Sequence, residues 1–191
     1  MALRNILKDN DPALLKKSRE VKDFNKRLHV LLDDMRETLI DANGLGLAAP
    51  QVGVLRRAVL IVDTSIETDE TAEPEEQYKS QIVELVNPEI TAKSGEQSGT
   101  EGCLSVPGVY GLVVRPDFVK VRAQDRFGMS FEIWGKGLTA RALCHEIDHL
   151  DGIMFTTLAE RYLTEEEVEA YALEHSEESE DEDASTDGQE F

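Results

Sequence analysis

A chain of 191 residues that is 40% hydrophobic has enough material for one buried core and too little for two. Its net charge of −19 argues against a surface built to grip phosphates, because nucleic-acid affinity comes largely from Lys and Arg. Two cysteines, Cys103 and Cys144, are too few for a disulfide framework, and no apolar run approaches the ~18 residues of a membrane span.

The N-terminal MALRNILKDN holds no apolar signal core, so it reads as the mature sequence of a cytoplasmic protein with reduced thiols. Phe24, Leu28, Leu31, Leu32, Met35 and Leu39 then recur at helical spacing, which predicts an amphipathic helix running to about Ala42 and ending at Asn43-Gly44. GLGLAAPQVG (Gly44–Gly53) consists of small residues around a proline and is expected as a tight extended loop. Ala58–Asp63 is a strand. Thr64–Ser80 is polar, acidic and unpatterned, and is expected as a surface loop. Ile82–Asn87 is a second strand, stopped by Pro88. Val119–Ala123 and Met129–Trp134 flank a turn closed by Gly128, the pattern of a hairpin. Thr139–Leu150 is a helix with Gly152 at the C′ position. Thr164 caps a last helix with acids in its first turn, and that helix fades after about His175.

From Glu174 to Phe191 there are nine acids and no Lys or Arg, so this stretch is expected to be a solvated, disordered tail. The expected architecture is α+β in a single domain, with mostly antiparallel strands packed around one central metal-binding helix. Residues 1–173 form the catalytic unit and 174–191 the tail.

The chemistry is concentrated in His145-Glu146-Ile147-Asp148-His149. On a helix, residues i and i+4 share a face, so both imidazoles reach one metal ion, while Glu146 borders it from about 100° round the axis. Leu143, Ile147 and Leu150 fall on roughly the opposite side and anchor the helix to the core. Cys144 also points away from the metal and is read as a packing residue. A hydrolytic metal takes three protein ligands and leaves one position for water. Downstream the chain offers only the acidic last helix, the tail and His175. Upstream, Glu101-Gly102-Cys103-Leu104-Ser105-Val106-Pro107 makes Cys103 a candidate thiolate ligand. Glu101 and Arg115 either brace that cysteine loop as an ion pair or form an exposed pair of little energetic weight.

Three segments together, GLGLAAPQ (Gly44–Gln51), EGCLS (Glu101–Ser105) and HEIDHLDG (His145–Gly152), resemble the peptide deformylase family in order and spacing. The resemblance covers about residues 5–160. It implies removal of the formyl group from N-formylmethionyl nascent polypeptides, with release of formate. It also implies Cys103, His145 and His149 as ligands of one divalent metal, iron(II) in the cell, with zinc, nickel or cobalt able to substitute. Glu146 would be the general base, and the Gln51 side-chain amide and the Leu104 N–H the oxyanion donors. Leu45, Gly46 and Gly102 would contact substrate backbone, as in strand addition to a sheet edge.

The sequence departs from the family pattern in two places. Many relatives have Gln where this chain has Cys144. Some members also carry a basic C-terminal helix for ribosome docking, whereas nothing here beyond Arg161 is Lys or Arg, so ribosome association by this end is not expected. The rival readings are a metallopeptidase of the H-E-x-x-H type cutting internal peptide bonds and a structural or storage metal protein. The second would need a fourth protein ligand.

Overall fold

A computed structural model describes residues 2–173. The acidic segment 174–191 and the fading of the last helix near His175 lie outside the described residues. Helix α1 (Lys26–Ala42) opens where the Asn25 side chain accepts the Arg27 N–H at 2.9 Å, and it closes where Asn43 turns left-handed at φ 47°. Strands β1 (Gly46–Ala48), β2 (Ala58–Val62) and β3 (Ile82–Ser94) follow, with helix α2 (Pro74–Ser80) between β2 and β3. A hairpin of β4 (Gln97–Cys103) and β5 (Val106–Arg115) leads into a second hairpin of β6 (Phe118–Gln124) and β7 (Ser130–Lys136). Helix α3 (Gly137–Leu150) and β8 (Arg161–Leu163) complete the ordered elements, and residues 165–173 are again helical.

Strands β1 to β8 pair antiparallel, in one sheet ordered β1-β2-β3-β6-β7 and another ordered β4-β5-β8. Strand β2 shows why its sequence is an unbroken apolar run. Ala58, Leu60 and Val62 face α1, whose Leu28, Leu31, Leu32, Met35 and Leu39 they meet, while Val59 and Ile61 face α3. Each large apolar side chain buried this way contributes roughly 1.5–3 kcal/mol. α3 is therefore sandwiched: Ala140, Leu143, Ile147 and Leu150 lie on the five-stranded sheet, and Arg141 reaches the backbone of β4 and β5 on the other side. Among the described residues no helix is long and apolar enough to cross a membrane.

Three sequence expectations change. Segment 64–80 is not all loop: Pro74 starts α2, Glu75 and Glu76 fill its first turn, and Lys79 bonds both acids, at 2.7 and 3.2 Å. Pro88 does not stop β3, because Asn87 at φ 52° and a register shift between Val86 and Glu89 place the proline in a bulge that tolerates its missing donor. GLGLAAPQVG is not a loop throughout, since β1 pairs with β2 and Ala49–Val52 makes one turn of 3-10 helix. Residues Glu101–Pro107 lie in the β4–β5 hairpin, whose glycine-rich, polar first strand carries no alternating pattern and was not read from sequence.

Other expectations hold. Thr164 and Glu167 form a reciprocal cap: the Thr164 N–H donates to the Glu167 carboxylate at 2.8 Å, and the Glu167 N–H donates to the Thr164 hydroxyl at 3.2 Å. At the end of α3, Gly152 donates to the His149 carbonyl and Ile153 to the Asp148 carbonyl, with Gly152 at φ 74°. A Cβ on Gly152 would lie 2.6 Å from the Leu15 carbonyl group. Gly152→Ala should therefore lower stability by about 2 kcal/mol or more, seen as a lower urea midpoint at unchanged slope.

Candidate active site

The site forms where the inner face of α3 meets the β4–β5 hairpin. A register shift between Glu101 and Cys103 bulges β4 at Gly102, and the chain then turns at Leu104-Ser105 so that Cys103 pairs with Val106. This turn brings the Cys103 thiol to 3.3 Å from His149 Nε2. Cys103, His145 and His149 each offer one donor atom, and the three atoms lie within 4.8 Å of one another. Among the described residues this is the cluster of Cys, His and acidic side chains able to hold a metal ion. Cys144, on the same helix, is buried in the apolar core, where desolvation pushes its thiol up to about 11. It stands apart from the cluster, as expected.

One buried carboxylate orients the cluster. Glu101 accepts the Arg115 Nε and Nη2 hydrogens at 2.8 and 3.0 Å and the Arg141 Nη1 hydrogen at 2.9 Å. Its Oε2 is 2.9 Å from His145 Nδ1, which leaves the other ring nitrogen for a ligand. Asp148 closes the network on Arg115 Nη1 at 2.5 Å. The Glu101–Arg115 pair thus takes the bracing form, with side chains only 3% and 7% exposed. Burial opposes the Glu101 charge, yet hydrogen bonds from His145 and Arg115 outweigh it and hold the carboxyl at about 2.

The electrostatics of the ring pair suit a cation. Burial works against a charged His145, but Cys103 and Glu101 raise it to about 10, so positive charge is favoured at that point. His149 is kept well below its usual value by burial and by the neighbouring His145, and so stays neutral as a ligand must. Glu146 is 5% exposed at the floor of the site, and desolvation lifts its carboxyl to about 7. Only three buried side-chain atoms among the described residues lack a hydrogen-bond partner, and two of them, Glu146 Oε2 and His149 Nδ1, are here. Converging sulfur and imidazole donors, a neutral His149 and a preference for positive charge together fit a divalent metal.

Gln51 faces the same point. Its Oε1 accepts the Ala48 N–H at 2.7 Å, which fixes the amide so that Nε2 points to Cys103 Sγ at 3.4 Å and to the Ser105 hydroxyl at 3.2 Å. Three consecutive residues of the N-terminal segment strap the base of the site: Leu7 N–H donates to the Gln51 carbonyl, Lys8 Nζ to that of Leu104, and Asp9 N–H to that of Ser105. A cleft of about 690 Å³ opens above, and Leu45, Gly46, Gln51, Gly102, Leu104 and Glu146 all line it. His149 lies beneath this cleft, 1% exposed. Gly46 is needed there, since a Cβ at that position would collide with the Glu146 carboxylate.

The sequence profile of the Polypeptide deformylase family matches residues 3–163. The chain is 53% identical to a peptide deformylase of Caldicellulosiruptor bescii over 169 residues, covering 88% of this chain and 93% of that one. It is 45% identical to peptide deformylase 1 of Bacillus subtilis over 168 residues, covering 88% and 97%. The crystal structure of a peptide deformylase from Legionella pneumophila superposes with a TM-score of 0.72 at 40% identity, covering 94% of this chain and 96% of that one. The chain belongs to the peptide deformylase family. Peptide deformylases are metal-dependent hydrolases that act on N-formylmethionyl nascent peptides.

For a peptide deformylase, the three motifs name the groups nearest the chemistry and miss those that hold them. Arg141 and Asp148 make two of the five contacts in the Glu101 network, and neither was given a role from sequence, although Asp148 stands inside the third motif. Arg141 precedes His145 by four residues, so the shared helix face was the available signal. Ser105 stood inside the second motif without a role, and Lys8 gave no signal. Glu101→Gln should leave Arg115 and Arg141 without a full counter-charge, costing about 3 kcal/mol or more of stability and about 10- to 100-fold in metal affinity. Urea unfolding and metal titration check both. In a Cys103→Ser variant, Cys144 should stay unalkylated by iodoacetamide at pH 8 until denaturant is added, because its thiol remains protonated and covered; mass spectrometry of the intact protein reads this.

Proposed function

We propose that residues 1–173 are the catalytic unit of a deformylase in which Cys103, His145 and His149 hold one divalent ion, Glu146 moves the proton, and Gln51 and Leu104 receive the developing charge. The observation that carries the reading is the convergence of three donor atoms within 4.8 Å beside an enclosed carboxyl lifted to about 7. The donor set of one thiolate and two imidazoles suits iron(II), which is taken as the physiological metal, with zinc, cobalt and nickel as substitutes. When bound, the ion supplies Lewis acidity, making water acidic near neutral pH and polarising the formyl carbonyl.

The chain supplies the rest. The formylated peptide lies along the edge of β1 beside Gly46, with Leu45 and Gly102 flanking it, so recognition is chiefly backbone to backbone and suits an enzyme that acts on most nascent chains. Glu146, held against Gly46 at a pKa matched to neutral operation, takes a proton from the attacking water and later returns it to the departing amine. As the formyl carbon becomes tetrahedral, its oxygen gathers negative charge that the Gln51 amide and the Leu104 N–H stabilise, each donor worth roughly 3 kcal/mol. Gln51 is preorganised for this by Ala48, and the Leu104 turn by the N-terminal strap. Formate and a free amino terminus result. Such an enzyme works in the cytoplasm near the ribosome, and the acidic segment after Arg161 is not its contact with RNA.

Purified protein should release formate from formyl-Met-Ala-Ser and leave unformylated internal peptide bonds uncut, which separates this reading from the metallopeptidase. Glu146→Gln should keep its metal by elemental analysis while kcat falls about 100- to 10 000-fold. Cys103→Ala should lose metal and turnover together. Undiminished formate release by Glu146→Gln would mean that the proton carrier is misassigned.

A further inference from the structure

The hydroxyl of Ser105 is a buried polar group to which the proposed chemistry assigns no part. Ser105 is 0% exposed, follows Leu104 in the turn between β4 and β5, and meets Gln51 from 54 residues away in sequence. The buried Gln51 amide has one orientation only. A backbone N–H can only donate, so the atom 2.7 Å from the Ala48 nitrogen is the amide oxygen, and the amide nitrogen is turned to the opposite side. That nitrogen carries two hydrogens. One is directed at Cys103 Sγ, 3.4 Å away, and the other at Ser105 Oγ, 3.2 Å away.

The two acceptors differ in what lies beyond them. Cys103 borders the cleft and belongs to the cluster that fits a metal, so the hydrogen on that side is the one within reach of a reacting formyl group. Ser105 is wholly covered and keeps the hydrogen on its side away from substrate. A bond at the oxygen end alone lets the amide swing about that bond, whereas a second at the nitrogen end fixes its plane. The backbones on either side are held by one segment, because Leu7 N–H donates to the Gln51 carbonyl at 2.8 Å and Asp9 N–H to that of Ser105 at 2.9 Å. The hydroxyl thus bridges the residue that carries one oxyanion donor and the turn that carries the other.

We infer that Ser105 is a positioning residue that ties the two oxyanion donors together, holding one hydrogen of the Gln51 amide so that the other stays aimed where charge develops. The inference rests on the reading that Gln51 and the Leu104 N–H receive that charge. Ser105 acts through the angle of a neighbouring donor, and such donors work because they are set before the charge appears. Its contribution is made in the transition state and not in substrate binding, so kcat and kcat/KM fall together while KM stays.

Ser105→Ala and Gln51→Met, which keeps the side-chain length and removes the amide, are made singly and together, loaded with zinc and assayed with formyl-Met-Ala-Ser. Ser105→Ala should lower kcat about tenfold at unchanged KM and zinc content, against about 100- to 1000-fold for loss of the whole Gln51 donor. In the Gln51→Met background it should cost nothing more, because the hydroxyl has lost the group it acts on. Nitrogen–proton correlation NMR of the zinc protein reads the same contact apart from catalysis. The Gln51 side-chain amide pair, assigned by its loss in Gln51→Met, should shift upfield in one hydrogen and exchange faster with solvent in Ser105→Ala. An unmoved amide pair, a fall in activity matched by lost zinc, or the same loss of kcat with and without the Gln51 amide would each overturn the inference. Gln51→Met with wild-type kcat overturns the oxyanion reading and the inference with it. An impaired Gln51→Met beside a fully active Ser105→Ala overturns the inference alone.

Discussion

A single carboxylate buried between two arginines and a histidine governs how this molecule holds together around its cleft. Glu101 sits on β4, Arg115 on β5, and Arg141 and His145 on α3, so the interaction joins the smaller sheet to the helix that lies on the larger one. Charges taken out of water are expensive unless each finds good partners, and here all three of the clamping side chains find them. The same contact orients His145. What fastens the two halves of the fold therefore also aims one ring of the cluster that could hold a metal, and neither role can be altered without the other.

α3 is shaped by this double duty. Eleven of its residues from Thr139 to Leu150 are buried, so the helix has no solvent face to spare and divides instead into an apolar side and a charged, hydrogen-bonded side. The apolar side fixes its place on the five-stranded sheet. The other side can then carry Glu146 buried, where a surface helix would leave that carboxyl hydrated and acidic. The raised Glu146 is thus a consequence of packing as much as of its neighbours.

The sequence disclosed the parts of this arrangement that have period or chemistry. The spacing in α1, the unbroken apolar run of β2, the β6–β7 hairpin and the caps of α3 and of the final helix were legible because local physics dictates them. His145, Glu146 and His149 announced a helix face, and the three-motif resemblance brought Cys103 and Gln51 to it. Strand β4 was hidden because its glycines and polar residues are selected by one neighbour each, as where Gly99 makes room for the Arg141 guanidinium. Strand β3 was cut short at Pro88 because only tertiary context shows the bulge. Arg141 and Lys8 carry no pattern, since their partners Glu101 and Leu104 lie 40 and 96 residues away in sequence. Helix α2 did have its signals, Pro74 and the paired Glu75 and Lys79, but they stand inside an acidic stretch whose composition suggests solvent.

The edge of β1 has a second meaning. A strand left open to receive a guest is equally open to another copy of the same protein, and exposed edges are where β-rich proteins begin to stick together. Tyr78 takes the Gly44 carbonyl on one side and Gln51 takes the Ala48 N–H on the other, which shortens that margin. The short stretch left open gives a neighbouring molecule little backbone on which to build a ladder. The protein can thus stay open to client chains without becoming a seed for its own aggregation.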